Sequence, residues 1–176
     1  ESESFTRVPM PGELRLTPGA AYVHVTSNNT ICGTEWPVLP DTGDAPLVVD
    51  ASSDLLSGPI DVAGTGLIYG GAQKNLGPAG VTLVIIRKDL AERGSESLPA
   101  TLRYAVVAKH GSRYNTPPVF AIYLFGLVMQ WLKAQGGLAA IETVNRRKAS
   151  LLYDAIDGSD FYRGTAQAES RSLMNV

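Results

Sequence analysis

Apolar positions come as short unbroken runs in the first half of the chain and at helical spacing in the second. After a stretch punctuated by Pro9, Pro11 and Pro18, residues 20–26 (Ala-Ala-Tyr-Val-His-Val-Thr) read as a strand rich in β-formers. Leu47-Val48-Val49 ends in Asp50, and Gly66-Leu67-Ile68-Tyr69 ends in Gly70-Gly71. A further run, Val81-Thr82-Leu83-Val84-Ile85-Ile86, closes on Arg87-Lys88-Asp89. Continuous rather than alternating hydrophobicity predicts strands covered on both faces, with helices as the covering layers. The expected class is α/β, with a mostly parallel sheet.

Downstream, Thr116 is placed to cap a helix and Pro117 sits in its first turn. Phe120, Leu124, Leu127 and Trp131 recur at helical spacing up to a stop at Gly136-Gly137. A second helix is predicted from about residue 138 to 156. Ile141, Val144, Leu151, Leu152, Ala155 and Ile156 face inward, Asn145-Arg146-Arg147-Lys148 largely outward, and Gly158 ends it. Beyond Ser159 two short strands are expected, Phe161-Tyr162-Arg163 and residues 172–176. The second runs to the last residue, which is expected of a piece of a longer subunit. No internal repeat, heptad array or low-complexity segment interrupts this order.

Composition narrows the setting. The 176 residues are 44% hydrophobic and 18% charged, a balance that suits a folded domain burying roughly 70% of its unfolded surface. Fifteen basic against 17 acidic side chains leave a net charge of −2, so nucleic acid is not an expected partner. A lone cysteine, Cys32, excludes an intrachain disulfide and fits a reducing, cytoplasmic compartment. The longest apolar run, residues 119–129, is interrupted by Gln130 and falls short of the ~20 residues of a membrane span. It is expected to be a buried helix, with no membrane partner. The start, Glu1-Ser2-Glu3-Ser4-Phe5-Thr6-Arg7, lacks the basic end and apolar centre of a signal peptide.

The candidate chemistry lies in residues 69–80, Tyr-Gly-Gly-Ala-Gln-Lys-Asn-Leu-Gly-Pro-Ala-Gly, where Lys74 sits in a glycine-rich loop between two apolar strands. Partial desolvation there would favour a free amine, as a Schiff-base lysine requires; the plainer reading is a solvated loop lysine. Asp50 ends a buried-type strand, where open α/β sheets bind ligands, and could equally cap a following helix. Together, an amine and a carboxylate at one sheet edge are what pyridoxal phosphate asks of its protein. Other phosphate and metal readings fail. Lys74 is followed by Asn75, not Ser or Thr, and Gly64-Thr65-Gly66 precedes a strand instead of following one. His24, His110 and Cys32 are too scattered for zinc, so no metal is expected, and His24 reads as a structural strand residue. The basic run at 145–148 reads as a solvated helix face.

These segments carry a resemblance. Ala20-Ala21-Tyr22-Val23-His24 with Ser27-Asn28-Asn29-Thr30-Ile31-Cys32-Gly33, then Asp50-Ala51-Ser52-Ser53 with Pro59-Ile60-Asp61-Val62, come first. The lysine loop, Asn115-Thr116-Pro117-Pro118 and Arg171-Ser172-Leu173-Met174-Asn175-Val176 follow. In this order and spacing they resemble the phosphoserine aminotransferase family, class V fold-type I pyridoxal-phosphate enzymes, from about residue 7 to 176. The resemblance implies part of the fold-type I large domain, a mostly parallel sheet covered by helices, plus the start of an α+β small domain. Residues 1–157 would be the later part of the large domain and 158–176 the beginning of the small one.

It further implies pyridoxal 5'-phosphate bonded to Lys74, the catalytic residue, which then moves a proton between substrate carbon and cofactor. Asp50 would hold the pyridinium nitrogen, Thr30 would contact the cofactor, and Gln73 would help hold its phosphate. Asn115 and Thr116 would reach that phosphate across a homodimer interface, although the same segment reads simply as a helix N-terminus. The implied reaction converts phosphoserine and 2-oxoglutarate to 3-phosphohydroxypyruvate and glutamate, reversibly. Gly58 departs from the family's usual arginine. The family's upstream phosphate loop, its ring-stacking aromatic and its substrate-binding arginines have no matching positions. The alternative expectation is therefore a non-catalytic folded fragment.

Overall fold

The structure, a computed structural model, describes residues 4–176; Glu1, Ser2 and Glu3, which open the segment read as unlike a signal peptide, lie outside it. Among the described residues six strands form: β1 (Val23–Thr26), β2 (Asn28–Asn29), β3 (Thr34–Glu35), β4 (Leu47–Asp50), β5 (Leu67–Gly71) and β6 (Thr82–Ile86). The four apolar runs supply one sheet in the order β1-β4-β5-β6, while β2 and β3 make a separate antiparallel hairpin. β1–β4 and β4–β5 pair in parallel and β6 pairs antiparallel to β5, which gives the mostly parallel sheet expected of an α/β chain.

Strand register sorts the side chains into two unlike faces, because cross-strand partners share a side. One row is Val25, Val49, Ile68 and Ile85, and Val49 and Ile68 are fully buried in it. This row joins Leu55, Ala72 and Leu76 in the core, with Phe125 and Met129 packed against them. The other face carries the row Thr26, Asp50, Tyr69 and Val84, with His24 beside it. Thr26 and His24 are exposed and Asp50 is half-buried, so the described residues cover the sheet fully on one face only. No helix links β4 to β5. The chain turns instead through Leu55 N–H to Ala51 O (2.8 Å) and Ser57 N–H to Asp54 O (2.9 Å), and Asp50 caps that turn and not a helix.

Four α-helices follow: α1 (Lys88–Glu92), α2 (Tyr104–Lys109), α3 (Val119–Ala134) and α4 (Leu138–Asp157). α3 starts after the second proline, with Pro118 and not Thr116 at its N-cap and no side chain capping it. The residue before a proline is pushed out of the helical region, so Pro117 cannot open the helix. α3 is not a buried helix. It turns Phe125, Met129 and Leu132 inward and leaves Phe120 at 72% and Trp131 at 55% exposure. Nearly every α3 position is apolar, so periodicity alone could not choose the face.

α4 also presents a face other than the one predicted. Asn145 and Ala149 are buried one turn apart, whereas Val144, Leu151 and Leu152 are more than half exposed. The small alanine permits close approach, and Asn145 Nδ2 donates to Ser57 O at 2.9 Å, so an amide replaces an aliphatic contact. The two expected C-terminal strands do not form. Phe161 and Tyr162 stack edge to face on the surface, 5.0 Å apart, and Arg171 makes one isolated bridge to Thr34. Glu35 accepts the Leu173 N–H at 2.6 Å, and Ser172 Oγ accepts those of Met174 and Asn175. Side-chain acceptors thus satisfy backbone donors that a partner strand would otherwise take.

Candidate active site

Two loops meet at the C-terminal edge of the sheet. The first is the hairpin turn between β2 and β3, where Asn29 Oδ1 accepts the N–H groups of Ile31 and Cys32, both at 3.0 Å. Gly33 completes the turn at φ +66°, a conformation that costs other residues strain. Asn28, buried below, anchors it by donating to Ser53 Oγ (2.9 Å) and Asn175 Oδ1 (2.5 Å). Thr30 rides on this hairpin, exposed at its tip.

The second loop follows β5. Leu76 and Ala72 are buried, and the N–H groups of Leu76 and Gly77 return to Ala72 O at 2.9 and 2.8 Å. This tight turn holds Lys74, whose Nζ donates to Thr30 Oγ1 at 2.8 Å across 44 residues of sequence. Lys74 is exposed among the described residues, so the expected desolvation is not provided by them. Gln73 folds back over Gly71. A Cβ at that glycine would lie 2.6 Å from Gln73 Oε1, so a larger residue there would push the exposed amide aside.

Asp50 ends β4. Its Oδ1 accepts the Ser52 N–H at 2.9 Å and its Oδ2 accepts the Tyr69 hydroxyl at 3.2 Å. Burial works against the charged form, but the Ser52 and Tyr69 hydrogen bonds and the nearby His24 outweigh it and hold the Asp50 carboxyl below its ordinary value. Tyr69 moves the opposite way: burial, then the Asp50 charge and hydrogen bond, push its phenol up. Asp50 is therefore an ionised acceptor fixed at both oxygens. His24 Nε2 lies 3.1 Å from the Tyr69 hydroxyl, so Tyr69 and His24 belong to the site although neither was singled out for it. The available signal was their register: His24 and Tyr69 fall on the Asp50 face of neighbouring strands.

Asn115 and Thr116 stand apart, exposed in the loop before α3, and among the described residues neither bonds to Lys74, Thr30, Asp50 or Gln73. A Cβ at Gly58 would meet the Glu142 side chain at 3.3 Å, and Glu142 instead pairs with Arg146 one turn along α4. A cavity of about 820 Å³ opens beside Glu35, Trp36, Asp54, Tyr153 and Arg171, and none of the candidate residues lines it. Among the described residues no three His, Cys, Asp or Glu side chains group to hold a metal, and no helix is long and apolar enough to cross a membrane.

The family model for class-V aminotransferases matches residues 9–176. The chain belongs to the class-V aminotransferase family. Phosphoserine aminotransferases from Lysinibacillus sphaericus and Desulfosudis oleivorans are 53% and 55% identical to it over 177 aligned residues, covering 100% of this chain and 49% and 48% of theirs. The chain thus spans about half the length of the curated relatives it matches. Among solved structures, the phosphoserine aminotransferase of Bacillus circulans subsp. alkalophilus superposes with a TM-score of 0.95 at 49% identity, covering 98% of this chain and 48% of that one. The pyridoxal-phosphate-bound enzyme of Trichomonas vaginalis matches at 0.90 and 40% identity, covering 96% and 49%. The mixed sheet and its helices are accordingly those of a fold-type I aminotransferase. Within this class-V aminotransferase chain, the Lys74–Thr30 pair and the fixed Asp50 carboxylate occupy one sheet edge.

Proposed function

We propose that this chain carries the cofactor-bearing part of a phosphoserine:2-oxoglutarate aminotransferase. The full-length protein would exchange an amino group between phosphoserine and 2-oxoglutarate, giving 3-phosphohydroxypyruvate and glutamate, in either direction. One observation carries the reading: a primary amine held at 2.8 Å by a neutral hydroxyl lies at the same strand ends as a carboxylate kept ionised by its neighbours. The identity to named phosphoserine aminotransferases along the whole chain supports this choice of substrate.

The donor set fits pyridoxal 5'-phosphate. When bound, this group supplies an aldehyde carbon for an amine and a conjugated ring that accepts electron density. Asp50 would hold the ring nitrogen's proton through a charge-assisted hydrogen bond. Lys74 would present its Nζ as the bonding amine and as the base that moves a proton at the substrate's α-carbon. Thr30, which accepts from Lys74 Nζ at 2.8 Å, would contact the cofactor beside that amine. Gln73 would take one phosphate oxygen. Asn115 and Thr116, exposed before α3, would serve the partner subunit of a homodimer. In domain terms residues 1–157 would belong to the large domain and 158–176 to the start of the small one, in a cytoplasmic protein.

Borohydride reduction of the full-length protein with pyridoxal phosphate, followed by peptide mapping, should mark Lys74; a mark on another lysine overturns the assignment. The Lys74→Ala variant should lose amino transfer by roughly 10²–10⁴-fold or more, read as glutamate formed from 2-oxoglutarate.

A further inference from the structure

We propose that Tyr69, braced by His24, is a positioning residue for Asp50: it holds that carboxylate in the orientation in which it meets the cofactor's ring nitrogen. This rests on the assignment of Asp50 as the partner of that nitrogen. The geometry is a chain of three side chains drawn from three adjacent strands. Tyr69 Oη lies 3.2 Å from Asp50 Oδ2 and 3.1 Å from His24 Nε2. Tyr69 is on β5, Asp50 on β4 and His24 on β1, so the phenol leans across β4 to reach the histidine.

Proton counting sets the direction. A phenol has one hydrogen to give and an ionised carboxylate can only accept. If Tyr69 donated to His24, its oxygen lone pairs would face those of Asp50 at 3.2 Å. The favourable arrangement has Tyr69 donating to Asp50 and His24 Nε2–H donating to Tyr69. The histidine is thereby fixed in the tautomer that carries hydrogen on Nε2, and each hydrogen bond polarises the next. Ser52 N–H holds the other carboxylate oxygen, so the plane of Asp50 is set by two donors from different directions. Without Tyr69, Oδ2 would lose the hydroxyl that donates to it at 3.2 Å, leaving Ser52 to hold the carboxylate against rotation about its Cβ–Cγ bond.

Other charged and titratable groups act on this chain from neighbouring elements. Asp54, after β4, couples to Asp50, and Tyr104 of α2 acts on Tyr69. A test must therefore compare variants that change one contact without removing a charge from these neighbours. Tyr69→Phe deletes only the hydroxyl. His24→Leu removes the brace, and His24→Gln keeps an N–H that can donate to the phenol.

The experiment uses the full-length protein with carbon-13 in its aspartate carboxyl groups. In the cofactor-free protein, the titration midpoint of Asp50 should rise by about one pH unit in Tyr69→Phe, rise less in His24→Leu, and return towards the parent value in His24→Gln. With cofactor, Tyr69→Phe should weaken pyridoxal-phosphate binding about 10-fold and lower kcat by a similar factor while leaving KM for phosphoserine within about 2-fold. An unmoved Asp50 midpoint in Tyr69→Phe overturns the proposal, as does a loss in His24→Leu that His24→Gln fails to recover. Borohydride mapping on the same samples separates the two readings. A moved midpoint with no mark on Lys74 supports the bracing and sinks the cofactor assignment, whereas a marked Lys74 with an unmoved midpoint sinks the bracing alone.

Discussion

Glu35 illustrates how a single side chain can serve the fold while opposing it electrostatically. Burial pushes its carboxyl above the ordinary glutamate value, against the pull of the Leu173 N–H it accepts at 2.6 Å. Asp54 is raised in the same way, by burial, despite the Ser27 hydroxyl at 2.6 Å. A carboxyl whose folded pKa is raised contributes stability below its unfolded value and loses that contribution as pH rises through the folded value. Glu35→Gln keeps an oxygen for Leu173 and removes the charge. It should unfold at higher denaturant concentration than the parent at pH 7, and the advantage should vanish near pH 4. Glu35→Ala strands the Leu173 N–H and should instead cost about 1–3 kcal/mol in the same urea titration. Neither effect could be read from the sequence, where Glu35 is an ordinary polar residue beside Trp36.

At the scale of elements, the strands were legible because their signal is short-range. Four apolar runs became β1, β4, β5 and β6 with bounds close to those read from the chain. The helix faces were not legible. In α3 almost every residue is apolar, and in α4 the buried positions are Asn145 and Ala149, which periodicity places outside or ignores. The lysine loop depends on a contact of the same hidden kind. A Cβ at Gly70 would lie 2.9 Å from Leu55 Cδ2 and 3.3 Å from Ala51 O, so with any larger residue at 70 the turn after β4 would have to shift. Gly70→Ala should destabilise the protein by about 1–3 kcal/mol in thermal unfolding. Adding Leu55→Ala should recover little, because the backbone oxygen stays in place and the deleted leucine leaves a cavity worth about 2–5 kcal/mol.

Across the whole molecule, residues 170–175 tie together parts that the sequence separates widely. Arg171 pairs with Asp157 through two contacts of 2.6 Å and lies 4.6 Å over the Tyr153 ring, and Tyr153 donates to Ser172 O at 2.8 Å. Ser172 N–H in turn bonds Gly33 O, and Asn175 takes Asn28 Nδ2, so the clamp ends on the hairpin that carries Thr30. Because Asp157 is half exposed, water screens the ion pair and it adds little to global stability. Arg171→Ala should therefore lower global stability little but speed amide hydrogen exchange at Ser172, Leu173 and Gly33 by about 10-fold, a local opening of the clamp.

Sequence alone determined the class of the chain and its sheet-forming runs and singled out Lys74 and Asp50 as candidate groups, while Thr30 and Gln73 were named only by the family resemblance. The runs and the two candidates follow from local composition, turn residues and spacing, which do not depend on what packs against what. Tertiary structure decided that Lys74 meets Thr30, that α3 and α4 turn the faces they do, that Tyr69 reaches Asp50 and that His24 reaches Tyr69. Each of those is a long-range pairing, in which strand register and packing select one partner from several that local pattern allows equally.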